Sequence, residues 1–216
     1  MNVAENIKKF REEIPEEVIL VAISKTKPIE DLQEAYEAGQ RIFGENRIQE
    51  MTEKSEELPK DIEWHMVGHV QTNKVKDMAP YVSLVHSADR PKLFKEINKE
   101  AEKNNRTIKV LLQVKIAEED SKYGMPLEKA EEFLKNNKAE NYPHVALIGL
   151  MGMATFTDDE DQVTKEFKSL KKLYDQYKES NNLTILSTGM SGDYQLGIDQ
   201  GSNMIRIGSS IFGKRN

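Results

Sequence analysis

Apolar positions along the chain follow two periods that alternate. The N-terminal residues repeat at every third or fourth position, which predicts an amphipathic helix that includes Val3, Ile7, Phe10 and Ile14. After Pro15 the pattern becomes a short, β-branched apolar run, which predicts a buried parallel strand over Val18–Ile23. Helical spacing then returns between Pro28 and Gly39, residues typical of a helix start and a helix end.

The same alternation continues to the C-terminus and predicts seven further strands, each separated from the preceding strand by a helix. These strands are Arg41–Phe43, Glu63–Val67, Val82–His86, Ile108–Lys115, Ala146–Met151, Thr184–Ser187 and Met204–Ile207. The helices between them are Ile48–Leu58, Asn73–Met78, Arg90–Asn104, Pro126–Asn136, Asp158–Ser180 and Tyr194–Gln200.

Strands that alternate with helices predict an α/β fold with a parallel sheet. Eight such repeats favour closure into a (β/α)₈ barrel over an open doubly wound sheet. No linker, low-complexity tract or shift in composition divides the 216 residues. We therefore expect one domain over residues 1–216, a single TIM-type barrel with an extra N-terminal helix.

Composition narrows the function classes. The chain has no cysteine, which excludes a disulfide framework, a thiolate nucleophile and a cysteine zinc site. The formal net charge of −6 argues against nucleic acid or an anionic membrane as the main partner. The N-terminus is charged and lacks a signal-peptide apolar segment, so a cytoplasmic protein is expected. We expect no metal site, because a strand end and a turn separate His65 from His69.

In a parallel barrel, chemistry is expected where strands end, because the loops there surround one open face. The loops after the last two predicted strands, 187–193 and 207–210, are dense in Gly, Ser and Thr. Such loops can form a backbone anion nest, and these two positions commonly build a phosphate site. The alternative is that Gly, Ser and Thr only mark turns.

Lys25 directly follows the first strand, which would place it at the barrel mouth. Partial desolvation there disfavours the charged form of a lysine, as an amine that attacks a carbonyl requires. The alternative is an amphipathic lysine at a strand end with its amine in water. Opposite a phosphate nest, a reactive amine suggests an aldolase-type Schiff base or pyridoxal phosphate.

Arg206 lies within the last predicted strand, where an interior charge needs a partner. That partner could be a ligand acceptor atom, or a carboxylate such as Glu45 or Asp193. No Walker-type segment and no G-x-G-x-x-G after the first strand support a nucleotide-binding fold.

Five segments, spread from the first strand to the last, carry a family resemblance: residues 22–28 (AISKTKP), 43–46 (FGEN), 64–74 (WHMVGHVQTNK), 187–191 (STGMS) and 205–213 (IRIGSSIFG). In them the chain resembles the pyridoxal phosphate homeostasis protein family, which is similar to the barrel domain of alanine racemases standing alone.

The resemblance implies a pyridoxal 5′-phosphate-binding protein that holds the cofactor on Lys25 as a Schiff base. Its implied phosphate contacts are Ser187, Gly208 and Ser209, with Thr188 as a further contributor. Arg206 matches the arginine that faces the pyridine nitrogen, and the residues implied around the ring are Asn46 and His65. The implied role is cofactor homeostasis or delivery, with pyridoxal-phosphate-dependent apoenzymes as candidate recipients, and we expect a monomer.

Two enzyme readings compete with this one. A racemase-like enzyme would use the same lysine, but it needs acid and base groups on both faces of the substrate carbon. An arginine at the pyridine nitrogen also weakens the electron sink that carbanion chemistry uses. The second reading is a barrel isomerase or aldolase that acts on a phosphorylated sugar without a cofactor. We expect a protein that is not an enzyme.

Overall fold

The computed structural model describes residues 2–119, 123–137 and 139–213. Within these residues, nine strands form one parallel sheet: β1 (Ile19–Ile23), β2 (Ile42–Glu45), β3 (Glu63–Met66), β4 (Leu84–Ala88), β5 (Ile108–Lys115), β6 (Met125–Pro126), β7 (Val145–Met151), β8 (Ile185–Met190) and β9 (Met204–Ile207). Their order is β4-β3-β2-β1-β9-β8-β7-β5-β6, and a further β4–β5 pairing closes the ring. The two-residue β6 adds to β5 outside the ring of eight.

Helices precede or follow these strands in the described part of the chain: α1 (Val3–Glu13), α2 (Ile29–Glu37), α3 (Ile48–Glu57), α4 (Val75–Met78), α5 (Pro91–Lys103), α6 (Leu127–Asn136), α7 (Glu160–Tyr177), α8 (Tyr194–Asp199) and α9 (Ser209–Phe212). Short 3₁₀ segments also occur, at Thr72–Lys74 and Ala139–Asn141. Among the described helices, none has both the length and the apolar character needed to cross a bilayer.

Strand side chains alternate between the barrel interior and the helix layer, since successive residues point to opposite faces. The interior apolar cluster consists of Val21, Leu84, Leu111, Met151, Ile185 and Met204, with partly buried residues around it. The larger cluster lies between the strands and the helices and includes Phe43, Trp64 and Phe94. Together they make the two-sided core that a (β/α)₈ barrel requires.

A buried polar layer lies directly above the interior apolar cluster. Four residues of that cluster, Leu84, Leu111, Ile185 and Met204, are each followed two positions later by another interior residue, nearer the C-terminal end of the strand. These following residues are buried and polar: His86, Gln113, Ser187 and Arg206. This switch from apolar to polar marks the end of the barrel where the loops open, and it positions the site described below.

The predicted (β/α)₈ barrel is confirmed, including the extra N-terminal helix, while several boundaries differ. The predicted strand Thr184–Ser187 extends to Met190, so Thr188 and Gly189 belong to β8 and not to a loop. Gly189 makes this possible, because its φ of +91° accommodates the bulge between Ser187 and Met190. The predicted helix from Asp158 begins at Glu160, since Asp159 caps it. Sequence periodicity missed β6 and α9, which are too short to show a period.

Candidate functional site

A half-open cavity of about 510 Å³ lies at the C-terminal ends of β1, β7, β8 and β9. The residues that line it are Ile23, Lys25, Lys27, Ala154, Thr155, Phe156, Thr157, Asp158, Val163, Met190, Ser191, Gly192, Asp193, Arg206, Gly208, Ser209 and Gly213. This is the face where parallel barrels carry their binding and catalytic groups.

Lys25 reaches the cavity because of the alternation along β1. Val21 and Ile23 point into the barrel, and Lys25, two residues further, continues on the same side where the strand has ended. The side chain is half-buried and lines the cavity together with Lys27. Two amine-bearing residues, Lys25 and Lys27, therefore line the barrel mouth.

Arg206 lies on the inner face of β9 and is only 4% exposed. Its Nη1 donates to the carbonyl oxygen of Ser187 at 3.1 Å and to the Ser187 Oγ at 2.6 Å. Its Nη2 donates to the carbonyl oxygen of Gly152 at 3.1 Å. Burial lowers the Arg206 pKa to about 10, opposed by the charge of Asp193, so the guanidinium remains protonated at neutral pH.

Neither carboxylate considered as a partner for Arg206 accepts one of its hydrogen bonds in the described part of the chain. Glu45 lies on the helix-facing side of β2 and pairs with Lys54 at 2.8 Å. The Oδ1 of Asp193 accepts from the backbone N–H of Met190 at 2.6 Å. Within the described residues, the hydrogen bonds of Arg206 all go to neutral oxygens. A buried positive charge thus faces the cavity, an arrangement that fits an acceptor atom of a bound molecule.

The loops after β8 and β9 close one wall of the cavity. The backbone N–H of Gly208 donates to Ser191 Oγ at 3.2 Å, which ties the two loops together. A side chain at Gly192 would meet nothing within 4 Å, so this loop presents an open backbone surface. With the Ser209 hydroxyl beside them, these loops offer the donors that an anionic group requires.

Four of the eight residues expected to hold the cofactor lie together on this cavity: Lys25, Arg206, Gly208 and Ser209. Ser187 lies behind it, fully buried, and its hydroxyl accepts from Arg206. Thr188 follows on the helix-facing side of β8, where its backbone N–H donates to Ser202 Oγ at 3.0 Å. The structure therefore places Ser187 as a support of the guanidinium rather than on the cavity wall.

His65 and Asn46 lie away from the described lining. His65 is buried in the barrel interior, with Nδ1 3.0 Å from Nε2 of His86. Burial, with the positive charge of Lys109, lowers the His65 pKa to about 3, so its imidazole is neutral. Asn46 is half-buried after β2, where its backbone lies so close to Gly68 that a Cβ there would meet the Asn46 carbonyl oxygen at 2.2 Å.

The sequence did not single out the loop after β7, which contributes five residues, 154–158, to the cavity. Thr155 anchors this loop, because its backbone N–H and hydroxyl both donate to Glu166 at 2.7 Å. Ser191 and Gly192 were likewise left out of the predicted site residues. All of these residues follow predicted strands, and that position could have indicated them as site candidates. The loop after β7, however, lacks the high content of Gly and Ser that drew attention to the loops after β8 and β9.

This arrangement can bind a small molecule with three chemical features. An amine-bearing lysine can take an aldehyde or ketone, the loops after β8 and β9 can take an anionic group, and the buried guanidinium can face an acceptor atom. A pyridine aldehyde with a phosphate group has all three features, so the residues present fit pyridoxal phosphate.

Comparison with known proteins gives the same picture. The family described as "Alanine racemase, N-terminal domain" matches residues 1–216. The pyridoxal phosphate homeostasis protein of Aquifex aeolicus is 38% identical over 199 residues, which is 91% of this chain and 86% of that protein. The protein of the same name from Helicobacter pylori strain 26695 is 41% identical over 199 residues, 90% of this chain and 87% of that one.

Solved structures agree with the fold. PipY of Synechococcus elongatus PCC7942 superposes with a TM-score of 0.91 without PLP and 0.88 with PLP bound, at 32% and 31% identity. Each comparison covers 98% of this chain and 100% of PipY. The alanine racemase of Streptomyces coelicolor A3(2) shares the fold, with a TM-score of 0.77 at 17% identity, and 99% of this chain covers 58% of that enzyme. The chain therefore belongs to the pyridoxal phosphate homeostasis protein family, whose barrel is that of the alanine racemase N-terminal domain.

Proposed function

We propose that this protein binds pyridoxal 5′-phosphate through Lys25 and serves intracellular homeostasis or delivery of the cofactor. The observation that carries the proposal is the meeting of Lys25, Arg206 and Ser209 on one cavity. The PipY structure with PLP bound, at 31% identity over nearly the whole chain, supports it.

Each residue has a distinct proposed role. Pyridoxal phosphate, when bound, supplies an aldehyde that a lysine amine can take up, a phosphate and a pyridine nitrogen. Lys25 supplies the amine, and the Ser191–Gly192 and Gly208–Ser209 segments hold the phosphate. Arg206, oriented by Ser187 and Gly152, directs a fixed positive charge at the ring. We propose that Thr188 supports the phosphate site, and that Asn46 and His65 support the surroundings of the ring, without contacting the cofactor.

We also propose that the protein is not an enzyme. A positively charged neighbour disfavours protonation of a pyridine nitrogen, which weakens the cofactor as an electron sink. Among the described residues that line the cavity there is no tyrosine or histidine to act as a second acid or base. The curated relatives carry the name of a homeostasis protein, which supports this assignment.

The remaining parts of the proposal concern the protein in the cell. We propose that residues 1–216 act as one binding unit, as a monomer in the cytoplasm, and that apoenzymes which depend on pyridoxal phosphate receive the cofactor. The half-open cavity supports delivery, because its mouth leaves a path for the ligand to depart.

The test is the covalent capture of the cofactor. Wild-type protein incubated with pyridoxal phosphate and reduced with borohydride should carry a single stable adduct, located on Lys25 by peptide mapping. Lys25→Ala should lose both the visible absorption of the bound cofactor and the adduct, while Lys27→Ala, at the same cavity, should keep both. An adduct that persists on Lys27 in the Lys25→Ala protein would overturn the assignment of Lys25.

Turnover is tested separately. Purified protein with cofactor bound should leave the enantiomers of alanine unchanged over hours. Sustained interconversion that is lost in Lys25→Ala would instead establish a racemase-like enzyme. Protein that stays colourless after addition of pyridoxal phosphate would favour a cofactor-independent barrel enzyme.

A further inference from the structure

A buried ionic cluster lies on the outer side of the strand end that carries Lys25. Lys54, on α3, is 5% exposed, and its Nζ donates to three oxygen atoms. These are the Ser24 carbonyl at 2.8 Å, Glu45 Oε1 at 2.8 Å and Glu50 Oε1 at 2.7 Å. A lysine ammonium has three donors, so this one is fully used.

The cluster holds both chain neighbours of Lys25. The hydroxyl of Ser24 donates to Glu45 Oε1 at 2.6 Å, in addition to the contact of its carbonyl with Lys54. On the other side, the backbone N–H of Thr26 donates to Glu50 Oε1 at 2.6 Å. Lys25 is therefore the middle residue of a turn whose two ends are fixed from α3 and β2.

The turn has a backbone conformation that its sequence disfavours. Thr26 has a φ of +62°, in the left-handed region that β-branched residues rarely adopt. Such a conformation persists only where the surroundings hold it, and it is typical of functional sites. Here the bond from Thr26 to Glu50 and the turn bond from the Lys27 N–H to the Ser24 carbonyl, 3.1 Å, hold it.

Stability alone does not account for the cluster. Burying charges carries a desolvation penalty that can exceed the attraction between them, and apolar replacements are often as stable. The carboxylate of Glu45 also leaves Oε2 buried without a hydrogen bond in the described part of the chain. What the cluster provides instead is a set of directional bonds, and they converge on the residues that flank Lys25.

We propose that Glu50 and Lys54 are positioning residues, which fix the Ser24–Thr26 turn so that the amine of Lys25 faces the cavity. This inference rests on the proposed function, because it assigns the cluster to the lysine that takes the aldehyde. It predicts that loosening the turn weakens capture of the aldehyde and leaves the phosphate and ring contacts in place.

The experiment removes Glu50, whose side chain is 21% exposed and whose loss the fold should tolerate. Glu50→Ala should capture pyridoxal phosphate about tenfold more weakly and more slowly, measured by the visible absorption and by borohydride trapping. Its affinity for pyridoxine 5′-phosphate, which has an alcohol in place of the aldehyde, should stay within about twofold of wild type. Glu53→Ala, an exposed position on the same helix, is the matched control and should behave as wild type.

A second variant separates position from charge. Glu50→Gln keeps an oxygen that can accept from the Thr26 N–H, so it should recover most of the capture rate. Lys54→Met should lose capture as Glu50→Ala does, and if it fails to fold, the comparison of Glu50→Ala with Glu50→Gln still decides the question.

Equal loss of affinity for the aldehyde and the alcohol in Glu50→Ala would show a merely structural role and overturn the inference. Failure of the proposed function would differ, since the wild-type protein itself would form no adduct on Lys25.

Discussion

At the scale of single residues, Arg206 and Ser187 show how one inner-face position supports another. Both lie in the polar layer above the interior apolar cluster, and the Ser187 hydroxyl and carbonyl orient the guanidinium. The family resemblance implied Ser187 as a phosphate contact. In the structure Ser187 is fully buried within β8 and does not line the cavity, whereas Ser209 lines the cavity and is exposed.

Ser209 is therefore the side chain whose removal should weaken phosphate binding most cleanly. Ser209→Ala should cost about 1–2 kcal/mol of binding free energy for pyridoxal phosphate, the scale of one hydrogen bond to a charged group. Affinity for pyridoxal, which lacks the phosphate, should not change. Titrations followed by absorbance measure both, with Ser210→Ala as the neighbouring control. Equal losses for the two ligands would place the phosphate elsewhere.

At the scale of elements, α7 organises the loop that the sequence did not single out. The helix begins after Asp159, whose side chain accepts from the backbone N–H groups of Asp161 and Gln162, each at 3.1 Å. About two turns after the cap, the buried Glu166 accepts from Thr155 and fixes the loop 154–158 against the cavity. A helix that packs on the barrel thus also shapes its mouth.

The cap of α7 gives a prediction at this scale. Asp159→Ala should lower the free energy of unfolding by about 1 kcal/mol, because two backbone donors lose their acceptor. Asp159→Asn should retain most of the stability, since asparagine caps helices about as well. Urea denaturation measures both variants. A loss in Asp159→Asn as large as that in Asp159→Ala would assign the effect to charge.

At the scale of the whole molecule, closure of the barrel buries two imidazoles against each other. His65 and His86 come from neighbouring parallel strands, and burial lowers the pKa of both, to about 3 for His65. The unfolded chain, with a histidine pKa near 6.5, takes up protons first as the pH falls. The stability that depends on neutral His65 is therefore complete above about pH 6.5 and is lost as the pH falls toward 3.

This linkage predicts a loss of about 2 kcal/mol of unfolding free energy from His65 between pH 8 and pH 5. His65→Gln should reduce the pH dependence by about that amount, and His86, whose pKa is also lowered by burial, should still contribute. Urea denaturation of both proteins across this pH range provides the measurement. The same pH dependence in both would show that His65 is not buried in its neutral form.

Periodicity along the chain is a local property, and the sequence expresses it directly. The alternation of strand and helix patterns was enough to predict the barrel, and the barrel rule then placed Lys25 and the loops 187–193 and 207–210 at one end. Short elements such as β6 and α9 were not predicted, because two to four residues contain no measurable period. The boundary of β8 was wrong, since Gly189 was interpreted as a turn signal and forms a bulge.

By itself, therefore, the sequence determined the fold class, the family and the strand ends at which the cavity forms. Only the tertiary structure decided which side chains face that cavity and which support it from behind. Lys54 and Ser24 are 30 positions apart and meet only because β1, β2 and α3 pack together. No pattern within either segment predicts that contact, because it depends on how the closed barrel orients side chains from distant parts of the chain.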